Sequence, residues 1–167
     1  MSDIKRAFER TAKALALRPS LGRDTAVTKA RVRDGLICDI EAGPFRFATD
    51  MPKAIGGTES APTPGMYGRA ALASCLATGY TMYAAKLGVP IRALEIEIQA
   101  DCDDGALFGV SDSPPGYLEV RYVVTIESSA PEAEVMKVLD EGDAHSPYLD
   151  VFSRAQKCTR VVRLTGS

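Results

Sequence analysis

The sequence carries almost no net charge: 20 Lys+Arg stand against 22 Asp+Glu over 167 residues, with the two signs interleaved. Without a sustained positive field, nucleic acid and anionic membrane surfaces lose their usual attraction, and neither is an expected partner. A membrane-spanning run is missing too. The longest uncharged apolar stretch, Ala70 to Ala85, includes Ser74, Thr78, Gly79 and Thr81 and falls short of the roughly 20 residues that cross a bilayer. The first residues carry Asp3, Lys5, Arg6, Glu9 and Arg10 with no apolar segment of a secretory signal, so the cytoplasm is the expected compartment. Histidine is reduced to His145. The four cysteines, Cys38, Cys75, Cys102 and Cys158, are far apart with no Cys-x-x-Cys pair, so neither a zinc motif nor a bound metal is expected. In a reducing compartment they are not expected to form structural disulfides. There is no internal repeat and no low-complexity segment.

What is present suits one ordinary core, since 46% of the residues are hydrophobic. Ile4, Phe8, Ala12 and Leu15 recur at helical spacing and predict an amphipathic helix ending before Pro19, packed on the domain or on a partner. Residues 1–24 read as this helix and a linker, and 25–167 as a single domain. From Ala26 the pattern alternates through Val27, Val32, Leu36, Ile37 and Ile40, with Asp34-Gly35 signalling a type I′ hairpin. A second turn at Ala42-Gly43-Pro44 leads to Phe45 and Phe47, which completes a three-strand meander.

Met51 to Pro64 is a Gly, Pro, Ser and Thr-rich loop. Thr63 as N-cap and Pro64 at the first position then open a helix to about Leu87 that is apolar on nearly every side. Such a helix must be covered all round, which a chain this short achieves most readily as an obligate dimer. Leu94 to Ala100 alternates as a half-buried strand, and Tyr117 to Ile126 follows as another. Ser129-Ala130-Pro131-Glu132 has capping-box spacing and opens a helix to about Glu141. Ser146-Pro147 opens a shorter one, and Val161 to Leu164 is expected as a last strand. The order is that of an α+β fold, not a βαβ series.

Among the cysteines, Cys75 alone falls within the covered helix. Its helical neighbours are Ala71, Leu72, Thr78, Gly79 and Met82. Gly79 leaves a gap one turn beyond the sulfur, open to a small ligand or to a closely packed backbone. Cys75 itself reads either as a small buried hydrophobe or as a reactive thiol. If reactive, its thiolate needs a cation from elsewhere. Cys75 is about 16 Å past the helix start, beyond reach of the dipole, and Arg69 faces another side.

Gly56-Gly57, then Ala61-Pro62-Thr63-Pro64, then Ala70-Ala71-Leu72-Ala73-Ser74-Cys75 resembles the signature of the OsmC/Ohr family of osmotically inducible and organic hydroperoxide resistance proteins. The resemblance continues through Asp34-Gly35-Leu36, Asp50-Met51-Pro52, the Leu94 to Ala100 strand and Ala144-His145-Ser146-Pro147, over roughly residues 25–165. It implies an intertwined homodimer with antiparallel sheets wrapped around long central helices and sites at the interface. It also implies thiol-dependent reduction of a small hydroperoxide, with Cys75 matching the peroxidatic cysteine and Arg23 the nearest match to the activating arginine. Ser146 stands where the family commonly has its resolving cysteine, and Gly65 where an acidic residue often orients the arginine.

Two functions are therefore weighed. One is a hydroperoxide reductase with a single working cysteine, reset by an external thiol and needing no cofactor. The other is a dimer that binds or senses an apolar ligand or an electrophile, with Tyr67, Tyr80, Met82 and Tyr83 available to line a cavity. Thr78, Gly79, Met82 and Ser146 are the expected pocket residues in either case. His145 is either a base near Cys75 or an exposed loop histidine. Cys158 is a packing residue or a substitute resolver, and Cys38 and Cys102 are ordinary strand residues. An inert structural dimer is the third possibility.

Overall fold

The computed structural model describes residues 3–166. Helix α1 (Asp3–Leu17) is followed by a 3-10 turn at Pro19–Gly22 and an antiparallel meander of β1 (Thr28–Asp34), β2 (Ile37–Ala42) and β3 (Phe45–Thr49). The long helix α2 (Pro64–Leu87) comes next. A second antiparallel sheet pairs β4 (Ala93–Cys102) with β5 (Tyr117–Glu127), and α3 (Asp104–Leu107) lies in their connection. Helices α4 (Glu132–Ala144) and α5 (Pro147–Ser153) follow. The α+β class is as expected. No helix of the described residues is long and apolar enough to cross a membrane.

Local chemistry sets the ends of α2. Thr63 Oγ1 accepts from the Met66 N–H at 3.3 Å, and Pro64 occupies the first turn without leaving an unpaired donor. Gly88, at φ 77°, closes the helix in the left-handed conformation while Val89 N–H bonds back to the Ala84 carbonyl. Leu72, Leu76, Tyr80 and Tyr83 form one buried stripe along α2. That stripe meets Val135 and Val138 of α4, and the half-buried faces of Leu94, Ile96 and Ile98 in β4 and Val120, Tyr122, Val124 and Ile126 in β5. The alternation of β4 is as expected, with Glu95 and Glu97 outward.

The stripe covers only one side of α2. Met66, Ala70, Ser74, Thr78 and Met82 on another side remain exposed in this chain. The meander is equally bare: β1 is exposed along its whole length, and Val32 and Phe45 are 69% and 72% accessible. Its ring contact with α2 is Phe47 against Tyr67, with centroids 5.1 Å apart.

The crossing of α2 and α4 is unusually close because of Gly142. A Cβ at that position would lie 2.4 Å from Tyr80 Cδ1, so only a glycine lets the ring seat there. One residue on, Asp143 accepts from the Tyr80 hydroxyl at 2.5 Å and from the Tyr122 hydroxyl at 2.9 Å. Burial and the Asp143 hydrogen bond push both phenols upward, Tyr122 to about 12.

The loop before α2 is organised around Asp50, which is fully buried. Its carboxylate accepts from the hydroxyls of Thr58 and Ser60 and from the N–H groups of Met51, Thr58 and Ser60. These bonds, led by the Thr58 hydroxyl, hold the carboxyl far below the usual carboxylate range. Gly57 approaches so closely that a Cβ would lie 1.8 Å from the Met51 carbonyl oxygen.

Three expectations change. The first hairpin turns on Gly35-Leu36, with Asp34 paired to Ile37 and positive φ at Gly35 alone, so type I′, which needs both, is not formed. Ser129 does not cap α4. Pro131 takes the N-cap position, which leaves Glu132 at the first helical residue instead of the third, while Ser128 bonds Ala130 N–H and the Pro90 carbonyl. Val161 to Leu164 is not a strand but irregular and exposed, because an extended segment becomes a strand only where its backbone finds a partner.

Gly142→Ala is expected to destabilise the fold by about 1–3 kcal/mol through overpacking against Tyr80, measured by urea unfolding. Asp50→Asn should lower the thermal midpoint at neutral pH. A carboxyl with a depressed native pKa contributes stability above its unfolded value of about 4 and loses it as pH falls toward the native value. The gap between wild type and Asp50→Asn should therefore close as unfolding is followed from about pH 5 down to pH 2.

Candidate functional site

Cys75 is half-buried and lines a pocket of about 600 Å³. Helix α2 contributes Ala71, Ser74, Cys75, Thr78, Gly79, Met82 and Tyr83, α1 contributes Phe8, the turn between α4 and α5 contributes His145 and Ser146, and α5 contributes Pro147 and Tyr148. The expected pocket residues Thr78, Gly79, Met82 and Ser146 are thus brought together with Cys75 and His145. A comparable cavity of about 630 Å³, between α1, the end of α2 and β4, holds neither a cysteine nor a histidine.

Ser146 is the polar group at the sulfur. It is 5% exposed, and its Oγ lies 3.5 Å from Cys75 Sγ. The same Oγ caps α5 by accepting from Leu149 N–H at 3.2 Å. One lone pair is committed to the cap, so the hydroxyl proton is free to point at the sulfur. It can donate to a thiolate, which accepts hydrogen bonds but donates none.

His145 is in the pocket wall but not hydrogen-bonded to Cys75. Its Nδ1 lies 2.8 Å from the Glu141 carbonyl, which fixes the proton of the neutral ring on Nδ1 and leaves Nε2 as the lone-pair nitrogen. The ring stacks on Tyr83 at 5.2 Å, and burial raises the Tyr83 phenol. Gly79 borders the pocket, and a Cβ there would make only an ordinary contact, 4.0 Å from the Gly142 carbonyl.

Arg23 is exposed on the linker after the 3-10 turn and is not among the lining residues. No lysine or arginine of the described residues lines this pocket. Arg69 faces elsewhere, as expected, and bonds the Tyr117 hydroxyl at 3.3 Å. A Cβ at Gly65 would lie 3.5 Å from Arg69 Nη1, and the Gly65 carbonyl accepts from Tyr117. Of the aromatic residues considered for a cavity wall, Tyr83 takes part. Tyr67 packs on Phe47 instead, and Tyr80 is drawn to Asp143.

Cys38 is half-buried in β2, Cys102 is exposed at the end of β4, and Cys158 is exposed in the irregular C-terminal segment. Among the described residues there is no cluster of His, Cys, Asp and Glu able to hold a metal. Sequence reasoning missed Phe8 and Tyr148 as pocket residues. Tyr148 was accessible through its place two residues after Ser146, whereas Phe8 gave no signal beyond an amphipathic stripe.

The sequence matches the family model described as OsmC-like protein over residues 57–160. No curated protein matches it. Among solved structures it is similar to an OsmC like protein from Mycoplasma pneumoniae, at TM-score 0.64 and 16% identity over 77% of this chain and 87% of that one. It is also similar to an organic hydroperoxide resistance protein OsmC from Legionella pneumophila, at TM-score 0.56 and 15% identity over 78% of this chain and 90% of that one. A third likeness is to the organic hydroperoxide resistance protein OhrB of Bacillus subtilis, at TM-score 0.51 and 16% identity over 78% and 91%. At these identities the structural likeness establishes the fold.

Ser146→Ala should cost about 1 kcal/mol through loss of the α5 cap, measured by urea unfolding. Ser146→Cys should place a second sulfur within reach, and mild oxidation should then yield a disulfide to Cys75, identified by peptide mass.

Proposed function

Because the chain belongs to the OsmC-like protein family, we propose that it reduces organic hydroperoxides through Cys75 as its single working thiol. The observation that carries this reading is Cys75 Sγ beside Ser146 Oγ at 3.5 Å, in a pocket also lined by Phe8, Met82, Tyr83 and Tyr148. Such walls, without a fixed charge, suit an uncharged hydroperoxide with an organic tail. Proteins of like fold are named for organic hydroperoxide resistance.

In this reading the Cys75 thiolate attacks the terminal peroxide oxygen. An S–O bond forms, the O–O bond breaks, and the alkoxide leaves and takes up a proton as alcohol. Ser146 offers no sulfur to close a disulfide. The sulfenic acid is therefore resolved by an external thiol, which releases water and forms a mixed disulfide, and a second thiol frees Cys75.

Among the described residues, no lysine or arginine lines the pocket of one chain to serve the thiolate. We assign that role to a second copy, with Arg23 as the candidate, in a homodimer that covers the exposed sides of α2 and the meander. A binding or sensing protein on the same scaffold is the second reading, and the absence of lysine and arginine from the lining is the observation that favours it.

Treatment with cumene hydroperoxide should convert Cys75 to a sulfenic acid trapped by a dimedone reagent, with thiol-dependent turnover abolished in Cys75→Ser. No trapping, together with a Cys75 pKa near the free value of about 8.5, would sink the reductase. Thermal stabilisation by apolar ligands in that case would support the binding protein. Sedimentation should give twice the 17.8 kDa chain mass, and Arg23→Ala should slow Cys75 oxidation by about ten-fold or more.

A further inference from the structure

Helix α1 lies outside the residues matched by the family, which begin at residue 57, yet it reaches the Cys75 pocket. Lys5 and Phe8 are its half-buried described residues, and Phe8 is its one contribution to the pocket. The Phe8 ring meets Tyr83 edge-on, with centroids 5.5 Å apart at 71°, and Lys86 Nζ sits 5.3 Å from the Phe8 centroid and 4.8 Å from that of Tyr83. Tyr83 stacks in turn on His145. A continuous aromatic wall therefore runs from α1 to the turn that carries Ser146.

The rest of α1 is lightly held. Ile4 is 43% and Leu15 37% accessible, and no residue of the helix is buried. A helix of this length is marginal by itself in water. A 3-10 turn and the irregular residues 23–27 connect it to β1, and the residue of the α2 stripe that its Phe8 ring meets is Tyr83. An element with so few buried contacts opens locally at low cost.

We propose that α1 is a lid on the Cys75 pocket and that Phe8 is its closing residue, a specificity determinant that restricts access by bulky apolar substrates. The inference rests on the reading of that pocket as the reactive site. Small hydroperoxides reach the sulfur with Phe8 seated on Tyr83. Long-chain or multi-ring hydroperoxides enter only when α1 lifts.

The test uses the full chain carrying Cys102→Ser and Cys158→Ser, with Cys75 followed separately from Cys38 by peptide mass. Alkylation by N-ethylmaleimide is compared with alkylation by the bulkier pyrenyl maleimide. Phe8→Ala should raise the pyrenyl rate relative to the ethyl rate by roughly ten-fold, and Phe8→Trp should lower it. Cumene hydroperoxide relative to hydrogen peroxide should follow the same order. An unchanged maleimide ratio, or a fall in Phe8→Ala, overturns the lid. A shifted maleimide ratio in a protein whose Cys75 resists every hydroperoxide supports the lid and removes the reductase instead. Loss of α1 helicity in Phe8→Ala, seen by circular dichroism, together with the same rise supports α1 as the lid, and loss of helicity without a rise overturns it.

Discussion

The close crossing of α2 over α4 is the constraint on which the site depends. Gly142 has no side chain, so the Tyr80 ring lies against the α4 backbone. Asp143 then collects the hydroxyls of Tyr80 and Tyr122, tying α2, α4 and β5 to one carboxylate. Both phenols are pushed upward, so they stay protonated and keep donating throughout the physiological range. Two and three residues further on, the chain turns through His145 and Ser146. The place of that turn over Cys75 is a direct consequence of where α4 ends.

A second constraint acts on the other side of α2. Asp50 gathers the donors of Met51, Thr58 and Ser60, and Gly57 fits against the Met51 carbonyl where no Cβ would. The loop is thereby held as a fixed lead into the Thr63 cap. The long helix is thus anchored at its start by a buried carboxylate and near its end by a tyrosine–aspartate bridge, with Cys75 between them. What the single chain leaves bare is also organised: the uncovered side of α2, the meander and the Cys75 pocket opening.

Much of this was legible in the sequence. Thr63-Pro64 marked the start of α2, the apolar run ended at about Leu87, and the alternation from Leu94 to Ala100 marked β4. Helical spacing from Cys75 selected Thr78, Gly79 and Met82. Resemblance, and not spacing, pointed to His145 and Ser146. The failures have physical causes. Ser129-x-x-Glu132 had the letters of a capping box, but Ser128 and Pro131 took the local hydrogen bonds first. Val161 to Leu164 had strand character but met no backbone partner among the described residues. Tyr67 and Tyr80 were as plausible for the cavity as Tyr83, and only their packing partners, Phe47 and Asp143, separated them.

The sequence by itself determined the ends of α2, the alternation of β4 and the places of the turns at Gly35 and Gly43, because caps, periodicity and left-handed glycines act over a few residues. The tertiary structure alone decided that Ser146 Oγ meets Cys75 Sγ across 71 positions and that Phe8 lines the same pocket. Those contacts follow from how closely two helices cross and where a third comes to rest, and both depend on side chains far apart in the chain fitting one shared volume.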